Sequence, residues 1–316
     1  MLLFIFEIAL QFALRFNIYG LANNPVIMYN PYCDQNYWLK RNIPIDISED
    51  IITHPILSYT NIGAKIPDSL DNNYLPSNNS ELVFYGSSFT GHEIFRKQIQ
   101  DLDLSNSNYS LPSYGLDQMY LSYLITEKIH KNSTIIFGFL LEDIDRMLFS
   151  FRDYNKVVLK IEEDNLKLLN VPIQQGKKPQ AKSELLSFKT IKNLYDLRSS
   201  NYNFSASQCA RDKKVALLKF IIKDLMKRTK ENEQQIIFIT FRFAKDFKFD
   251  NWRLNEFENI LKSEEVVWLD SQNILSQDIT DYDDYLKFYG KDNHLNDIGF
   301  SKIITAISRE LKEQYK

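Results

Sequence analysis

Short apolar runs alternate with longer amphipathic segments from residue 81 to the end of the chain. The apolar runs are rich in β-branched and aromatic residues and predict strands at 81–86, 108–111, 134–141, 235–241 and 265–270. The longer segments predict helices at 92–102, 116–130, 213–228, 252–261 and 297–314. Strands that alternate with helices form mostly parallel sheets covered on both faces. We therefore predict an α/β fold, a three-layer α/β/α flavodoxin-like parallel sheet.

Two further stretches depart from this alternation. Residues 17–80 are polar and rich in Asn, Pro and Tyr, which predicts an irregular extension wrapped on the domain. Residues 157–173 alternate like a β-hairpin, and the polar stretch 177–203 has a helical middle. The predicted division is an apolar N-terminal helix and wrap at 1–80, and an α/β domain at 81–316 with a hairpin-bearing insert at about 152–210.

The most hydrophobic stretch is MLLFIFEIALQFALRF at residues 1–16. As a helix it would be about 24 Å long, shorter than the ~30 Å hydrocarbon core of a bilayer. Glu7, Gln11 and Arg15 lie on one helical stripe among apolar residues. Three interpretations stay open: a helix of the domain, an interfacial anchor, or the end of a transmembrane helix whose start is missing. The stretch lacks the basic start and small-residue cleavage site of a signal peptide.

Charge and motif content exclude several functional classes. The 38 Lys and Arg residues nearly balance the 41 Asp and Glu residues, and the net charge of −3 argues against a nucleic-acid partner. Cys33 and Cys209 either form one bridge or remain buried thiols, and we favour the thiols. The four histidines lack metal-ligand spacing, and the chain has no glycine-rich phosphate loop. We therefore expect no metal and no organic cofactor.

A serine follows the first predicted strand, in the segment GSSFTG at residues 86–91. In an open α/β sheet, ligands bind at the carboxyl ends of the strands. In such a strand-to-helix turn Ser88 can expose its hydroxyl, and the start of the next helix offers N–H groups to an anion. Taken alone, the segment is more often ordinary turn chemistry.

An Asp-x-His pair precedes the last predicted helix. Asp292 and His294 are two residues apart, so on an extended segment both side chains point the same way and the carboxylate can orient the imidazole. Asn296 or Asp297 then caps the helix. Such a pair is by itself more often structural, but a serine nucleophile needs a base of this kind.

His92 is a rival base because it follows Ser88 by four residues. We expect it to lie in the first turn of its helix and to point away. His294 is therefore the favoured partner of Ser88, since the two segments can meet at one edge of the sheet.

Four sequence blocks resemble the SGNH/GDSL hydrolase superfamily, in particular its lipase/acylhydrolase-like members found with surface polysaccharide genes. LVFYGSSFTG resembles the nucleophile block, and NYSLPSYGLDQMYL resembles the second block. TIIFGFLLEDIDRMLFSFRDY resembles the third, in which Arg146 and Arg152 fit an arginine-bearing segment, and KDNHLNDIGF resembles the Asp-x-His block. Together the blocks cover residues 80–316 of the chain.

The resemblance implies a role for each matched residue. Ser88 attacks an ester carbonyl, His294 takes the proton of Ser88, and Asp292 orients His294. The backbone N–H groups of Ser88 and Ser113 stabilise the oxyanion. The oxyanion and substrate-binding positions that the resemblance implies are Ser113, Gly115, Glu142, Asp143 and Arg146.

Three positions depart from the family's pattern. Ser87 stands in place of the GDS aspartate, and Ser113 in place of the second-block glycine, although a backbone N–H survives that change. Glu142 stands in place of the third-block asparagine. A carboxylate that faces an oxyanion repels it unless protonated, and losing one oxyanion donor typically costs ~10²–10³ in rate.

The resemblance implies an SGNH-type serine esterase/acylhydrolase or O-acyltransferase that acts on an acylated carbohydrate of the cell envelope or on another small ester. The alternative is a catalytically impaired protein that binds a glycan or a membrane partner, and Glu142 favours it. We expect an extracytoplasmic location, periplasmic or cell-envelope, rather than a cytoplasmic one. The apolar N-terminal helix leaves membrane association open.

Overall fold

The computed structural model describes residues 2–23, 25–41, 51–61, 63, 66–68, 80–163, 165–174, 179, 185–197, 208–247, 251–262, 266–277, 279 and 281–314. Its helices, in chain order, are α1 (Leu2–Arg15), α2 (Gln35–Lys40), α3 (Glu93–Gln100), α4 (Leu116–Thr126), α5 (Asp143–Arg146), α6 (Leu186–Leu197), α7 (Arg211–Glu231), α8 (Trp252–Leu261), α9 (Ser271–Leu275), α10 (Tyr282–Leu286) and α11 (Asp297–Gln314). Its strands are β1 (Ile51–His54), β2 (Ser58–Asn61), β3 (Leu82–Gly86), β4 (Asn106–Asn108), β5 (Thr134–Leu140), β6 (Phe151–Arg152), β7 (Tyr154–Asn155), β8 (Val158–Glu162), β9 (Asn165–Leu169), β10 (Gln235–Phe241) and β11 (Val267–Asp270).

Five strands form the central sheet in the order β11-β10-β5-β3-β4, and every neighbouring pair is parallel. Counted along the chain from β3, this order is the flavodoxin-like 2-1-3-4-5 arrangement read from the opposite edge. β3 and β5 are buried along their whole length, because a parallel sheet is covered on both faces. The predicted fold class is confirmed.

Neighbouring residues of β3 show that helices cover both faces of the sheet. Phe84 packs its ring 5.6 Å from that of Phe95 in α3, whereas Tyr85 packs its ring 5.7 Å from that of Tyr123 in α4. Successive side chains of a strand point to opposite faces. One layer of helices therefore contains α3 and α11, which pack against each other, and the other contains α4.

The chain divides into two compact units. Unit 1 comprises residues 1–59 and 148–214, and unit 2 comprises residues 60–147 and 215–316. Unit 2 contains the parallel sheet. Unit 1 contains α1, α2, α6 and the antiparallel pairs β6-β7 and β8-β9. The boundaries predicted from the sequence at residues 80/81 and about 152–210 stay a prediction.

Most predicted elements of unit 2 form within a few residues of their expected bounds. One strand differs: it was expected at 108–111 and runs over Asn106–Asn108. The Asn108 side chain accepts the N–H of Ser110 at 2.9 Å, and this local turn ends the strand early. The hairpin predicted within 157–173 is confirmed as β8 and β9.

Two features of unit 1 differ from expectation. The stretch 17–80, expected to be irregular, contains α2 and the small sheet β1-β2 among its described residues. Cys33 and Cys209, for which buried thiols were favoured, form a disulfide with their Cα atoms 6.0 Å apart. The fold brings them together across 176 residues, a separation at which sequence spacing predicts nothing. Among the described helices, none is both long and apolar enough to span a membrane.

Candidate active site

Thr90 fixes the turn that carries Ser88. Its hydroxyl donates to Ser110 Oγ at 2.9 Å, and the threonine packs between the ends of β3 and β5. A Cβ built on Gly86 would lie 1.8 Å from Thr90 Oγ1, and one on Gly138 would lie 2.2 Å from Thr90 Cγ2. Both glycines are therefore required for the threonine to fit, and the turn between β3 and α3 is rigidly placed.

Ser88 is half-buried in this turn, and its hydroxyl and N–H form no hydrogen bond within the described part of the chain. The same holds for the N–H of Ser113, whose backbone is left-handed with φ of 69°. Glycine adopts this conformation most readily. The serine that replaces the motif's glycine thus keeps a glycine-like backbone, and its N–H stays available as a donor.

Asp292 and His294 lie in a tight turn rather than on the extended segment that the sequence predicted. Asn293 between them is left-handed with φ of 65°, and Asp292 Oδ1 accepts the His294 N–H at 3.2 Å. Gly290 closes the turn by donating its N–H to the His294 carbonyl at 2.8 Å. Asn296 then caps α11 by accepting two N–H groups, as expected. This is an Asx turn, in which an Asp side chain accepts the N–H of the residue two positions later, a common arrangement for Asp.

The carboxylate of Asp292 orients His294, since Oδ2 lies 3.0 Å from Nδ1 of the imidazole. The proton of a neutral His294 is therefore on Nδ1, which leaves the lone pair on Nε2. Nε2 is buried and has no hydrogen-bond partner in the described residues. The ring lies with its centroid 4.9 Å from that of Phe89, which follows Ser88 directly in the chain. The structure thus brings the predicted base next to the turn of the predicted nucleophile, without a hydrogen bond between them.

The environment of this pair shifts the pKa of both groups. Burial lowers the pKa of His294 below its ordinary value, although Asp292 acts in the opposite direction. Burial would raise the pKa of Asp292, but the His294 N–H and the two neighbouring imidazoles lower it. At neutral pH the pair therefore consists of a carboxylate and a neutral imidazole, the forms that a general base requires.

His92 contacts this pair, contrary to the expectation that it points away. It is the N-cap residue of α3, where its Nδ1 accepts the Ile94 N–H at 3.3 Å. Its Nε2 lies 3.3 Å from Asp292 Oδ2, and its ring centroid lies 5.0 Å from that of His294. Because Nδ1 accepts a hydrogen bond, Nε2 carries the proton and donates to Asp292. The side chain of an N-cap residue turns back over the helix start, and this is why His92 faces the site.

His92, Asp292 and His294 also offer three metal-ligand atoms within 4.8 Å of one another. Histidine spacing in the sequence did not indicate this group, since His92 lies 200 residues from Asp292. A ligating imidazole normally donates its second ring nitrogen to an acceptor. In His92 that nitrogen instead faces the Ile94 N–H, so the arrangement fits a hydrogen-bonded imidazole better than a metal ligand.

Glu142 follows β5 and forms an ion pair with Lys245, at 3.4 Å between Oε1 and Nζ. Burial would raise the pKa of Glu142, but Lys245, Arg253 and Arg146 together lower it. Glu142 is therefore ionised at neutral pH, and the charge of Lys245 compensates it. Spacing in the sequence did not indicate Lys245, because this residue follows a different strand, β10.

The remaining predicted positions support the loops around the site. Asp143 is buried, accepts the Leu140 N–H at 2.9 Å and pairs with Arg146. Arg146 in turn donates to the Tyr114 carbonyl at 3.1 Å, which ties the end of β5 to the loop of Ser113. The N–H of Gly115 donates to Gln118 Oε1 at 3.3 Å, so it is engaged in capping α4.

Arg152, the second arginine of the third block, lies in unit 1, where its guanidinium stacks 4.2 Å from the Trp38 ring centroid. The other predicted positions, from Ser88 to His294, lie in unit 2.

No protein-family model and no curated protein matches the sequence. Among solved structures, the chain is similar to a GDSL-like lipase from Bacteroides thetaiotaomicron, with 11% identity, 74% of this chain and 88% of the lipase covered, and a TM-score of 0.40. It is also similar to the protein YxiM from Bacillus subtilis, with 11% identity, 74% of this chain and 58% of that chain covered, and a TM-score of 0.41.

The flavodoxin-like strand order places the Ser88 turn directly after β3 and the Asp292–His294 turn directly before α11. The chain has a flavodoxin-like α/β fold. In this fold the Ser88 turn and the Asp292–His294 turn, far apart in the sequence, lie next to each other.

Proposed function

We propose that the protein is a serine-dependent esterase or O-acyltransferase. The observation that carries the proposal is the state of His294: Nδ1 is held by Asp292 at 3.0 Å, and Nε2 is left without a partner beside the turn of Ser88. A serine hydroxyl becomes nucleophilic at neutral pH when such a base accepts its proton.

In the proposed reaction, Ser88 Oγ attacks the carbonyl carbon of an ester while His294 Nε2 accepts the hydroxyl proton. The tetrahedral intermediate collapses to an acyl-serine, and His294 returns the proton to the leaving alcohol. Water or a sugar hydroxyl then attacks the acyl group and gives its proton to His294, which passes it to Ser88 Oγ as the acyl–serine bond breaks. Asp292 stays ionised and stabilises the imidazolium that forms in each step.

The N–H groups of Ser88 and Ser113 are the proposed oxyanion donors, since neither is engaged within the described residues. Backbone donors that are fixed before the reaction cost no reorganisation when the charge develops. Lys245 supports the same site indirectly, because it compensates the charge of Glu142.

The proposed substrate is an acylated carbohydrate of the cell envelope, and the proposed location is extracytoplasmic. The substrate class rests on the resemblance of the four sequence blocks. The location is supported by the disulfide between Cys33 and Cys209, since such bonds persist in oxidising compartments.

A second candidate function is glycan binding without catalysis. The ionised Glu142 favours it, because a carboxylate directed at the oxyanion would oppose the developing charge. The same residues would then bind an acylated sugar without cleaving it.

Labelling with a serine-directed fluorophosphonate distinguishes the two candidates. We expect intact wild-type protein to gain one label, and Ser88→Ala and His294→Ala to lose it. Ser87→Ala is the matched control, because the Ser87 hydroxyl is buried and has no hydrogen-bond partner in the described residues. The control should label like wild type and hydrolyse an activated acetyl ester at the same rate.

A folded wild-type protein that neither labels nor hydrolyses the ester would contradict the catalytic proposal. Retained affinity for an acetylated oligosaccharide in Ser88→Ala would then support the binding candidate. Product formed from an added sugar acceptor, at the expense of free acetate, identifies acyl transfer rather than hydrolysis.

A further inference from the structure

Helix α1 in unit 1 has the reverse of the usual amphipathic arrangement. Its acidic residue, Glu7, faces α6 and accepts the N–H groups of Leu186 and Ser187 at 3.0 and 2.8 Å. Leu14 is buried in the same direction, in a cluster with Leu186. Glu7 is thus engaged with the start of α6, while large apolar side chains of α1 are exposed beside Gln11 and Arg15.

The outward face of α1 carries a stripe of large apolar side chains, Ile5, Ile8, Phe12 and Phe16, which are each 54–59% exposed. Residues at this spacing share one face of a helix. In a water-soluble protein this face is normally polar.

Helix α6, which packs against α1, is reversed in the same way. Its polar residues Thr190 and Asn193 are buried, whereas Phe188, Ile191 and Tyr195 are 62%, 53% and 81% exposed. The exposed apolar stripes of these two packed helices are together called the α1–α6 face. An exposed apolar patch of this kind marks an interaction site.

Cations border this face. Arg15, Lys40 and Lys192 form no ion pair within the described part of the chain. Arg15 and Lys40 line a groove together with the apolar side chains of Ile8, Phe12 and Phe16. Apolar side chains with a rim of Lys and Arg match the acyl region and the anionic headgroups of a lipid bilayer.

We propose that the α1–α6 face docks unit 1 on the surface of an anionic lipid bilayer, with both helices in the interface. Helices that lie in the membrane interface bind through buried apolar area together with attraction to anionic lipids, and the α1–α6 face offers both. The inversion of α6, in the middle of the chain, ties a second element to the membrane. This proposal does not depend on the chemistry of Ser88.

Flotation of the full chain with lipid vesicles tests the proposal. We expect binding to vesicles of phosphatidylcholine with phosphatidylglycerol, and weaker, salt-insensitive binding to phosphatidylcholine alone. Phe12→Ser with Phe16→Ser in α1, and Phe188→Ser with Ile191→Ser in α6, should each weaken binding at least about tenfold. Ile52→Ser is the matched control, since Ile52 is exposed and apolar but lies on β1. It should bind like wild type.

Three outcomes would overturn the proposal. Wild-type protein that does not float with anionic vesicles, but forms a dimer that the same variants dissociate, would assign the face to a second copy. Unchanged binding by the α6 variant would restrict the anchor to α1. Equal loss in the Ile52→Ser control would show general apolar adsorption. Circular dichroism and thermal unfolding of each variant report folding independently of vesicle binding and of any esterase activity.

Discussion

His92 Nε2 lies 3.3 Å from Asp292 Oδ2, the oxygen that also lies 3.0 Å from His294 Nδ1. One carboxylate oxygen therefore accepts hydrogen bonds from two imidazoles. His92 is locked in the donating tautomer by the Ile94 N–H, so it donates a second hydrogen bond to the carboxylate that orients His294. This makes His92 a positioning residue for the proposed base.

The substitution His92→Asn keeps the contact of residue 92 with the start of α3 and removes its contact with Asp292. Asn is an efficient N-cap and keeps the start of α3, but it does not reach Asp292. We expect kcat to fall about tenfold with little change in KM, because the base is less well oriented. The proximity of His92 lowers the pKa of His294, so its loss should move the acid limb of the pH–rate profile to higher pH. A variant with lower kcat but an unmoved acid limb would assign His92 a structural role only.

The pH dependence of kcat/KM should report His294. Burial lowers its pKa below the ordinary value of 6.5, and only the neutral imidazole accepts the Ser88 proton. Activity should therefore rise with pH and reach half of its maximum below pH 6.5. Initial rates of acetyl ester hydrolysis between pH 4 and pH 8, with enzyme stability checked at each pH, measure this value. A midpoint above the ordinary value would show that proton uptake by His294 is favoured, and would contradict the assigned neutral state.

Glu142→Asn replaces the carboxylate with the amide that stands at this position in the third block of the SGNH/GDSL pattern. If the carboxylate opposes the oxyanion, kcat should rise, by up to the ~10²–10³ that one oxyanion donor contributes. Lys245→Ala should do the opposite, because it leaves the charge of Glu142 uncompensated. The kcat values of both variants are measured with the same ester assay. Lys262→Ala serves as a control because Lys262 pairs with Glu258 at the surface. Equal rates in all variants would place Glu142 away from the reacting atoms.

Unit 1 should lose stability in acid through Glu7. Although burial acts in the other direction, the N–H groups of Ser187 and Leu186 lower its pKa from 4.5 to about 2. A carboxylate with a depressed pKa contributes stability that is present above pH 4.5 and lost as the pH falls toward 2. Glu7→Ala should cost about 1 kcal/mol at neutral pH, as expected for loss of a helix cap. Hydrogen exchange at the start of α6 measures it, and exchange that is unchanged in the variant would refute the cap.

Removing the disulfide should destabilise unit 1 and leave the active site intact. Cys33→Ser with Cys209→Ser removes a link between residues 176 apart, at an expected cost of about 2–5 kcal/mol in the free energy of unfolding. Urea unfolding with and without reductant measures the cost, and the double variant should be insensitive to reductant. Identical unfolding of oxidised and reduced wild-type protein would show that the bond contributes little.

The sheet and its main helices could be predicted from the sequence because their signals are local. The apolar run at 235–241 indicates a buried strand, and the amphipathic segment at 252–261 indicates a helix. Each signal is contained within the segment itself. The order of βα units then limits the topology to a parallel sheet with helices on both faces. The positions of Ser88 after β3 and of Asp292 and His294 before α11 follow from the same pattern.

Tertiary structure alone decided which side chains meet. His92 and Asp292 are 200 residues apart, and Glu142 and Lys245 are 103 apart, so no spacing rule connects them. The sequence around residues 292–294 allowed an extended segment or a turn, and the hydrogen bond from Gly290 to His294 selected the turn. The apolar N-terminus leaves three interpretations open in the sequence, and only the structure shows that Glu7 binds the start of α6. Local patterns fix secondary structure because they depend on neighbours in the chain, whereas a site depends on contacts that form only when distant segments pack.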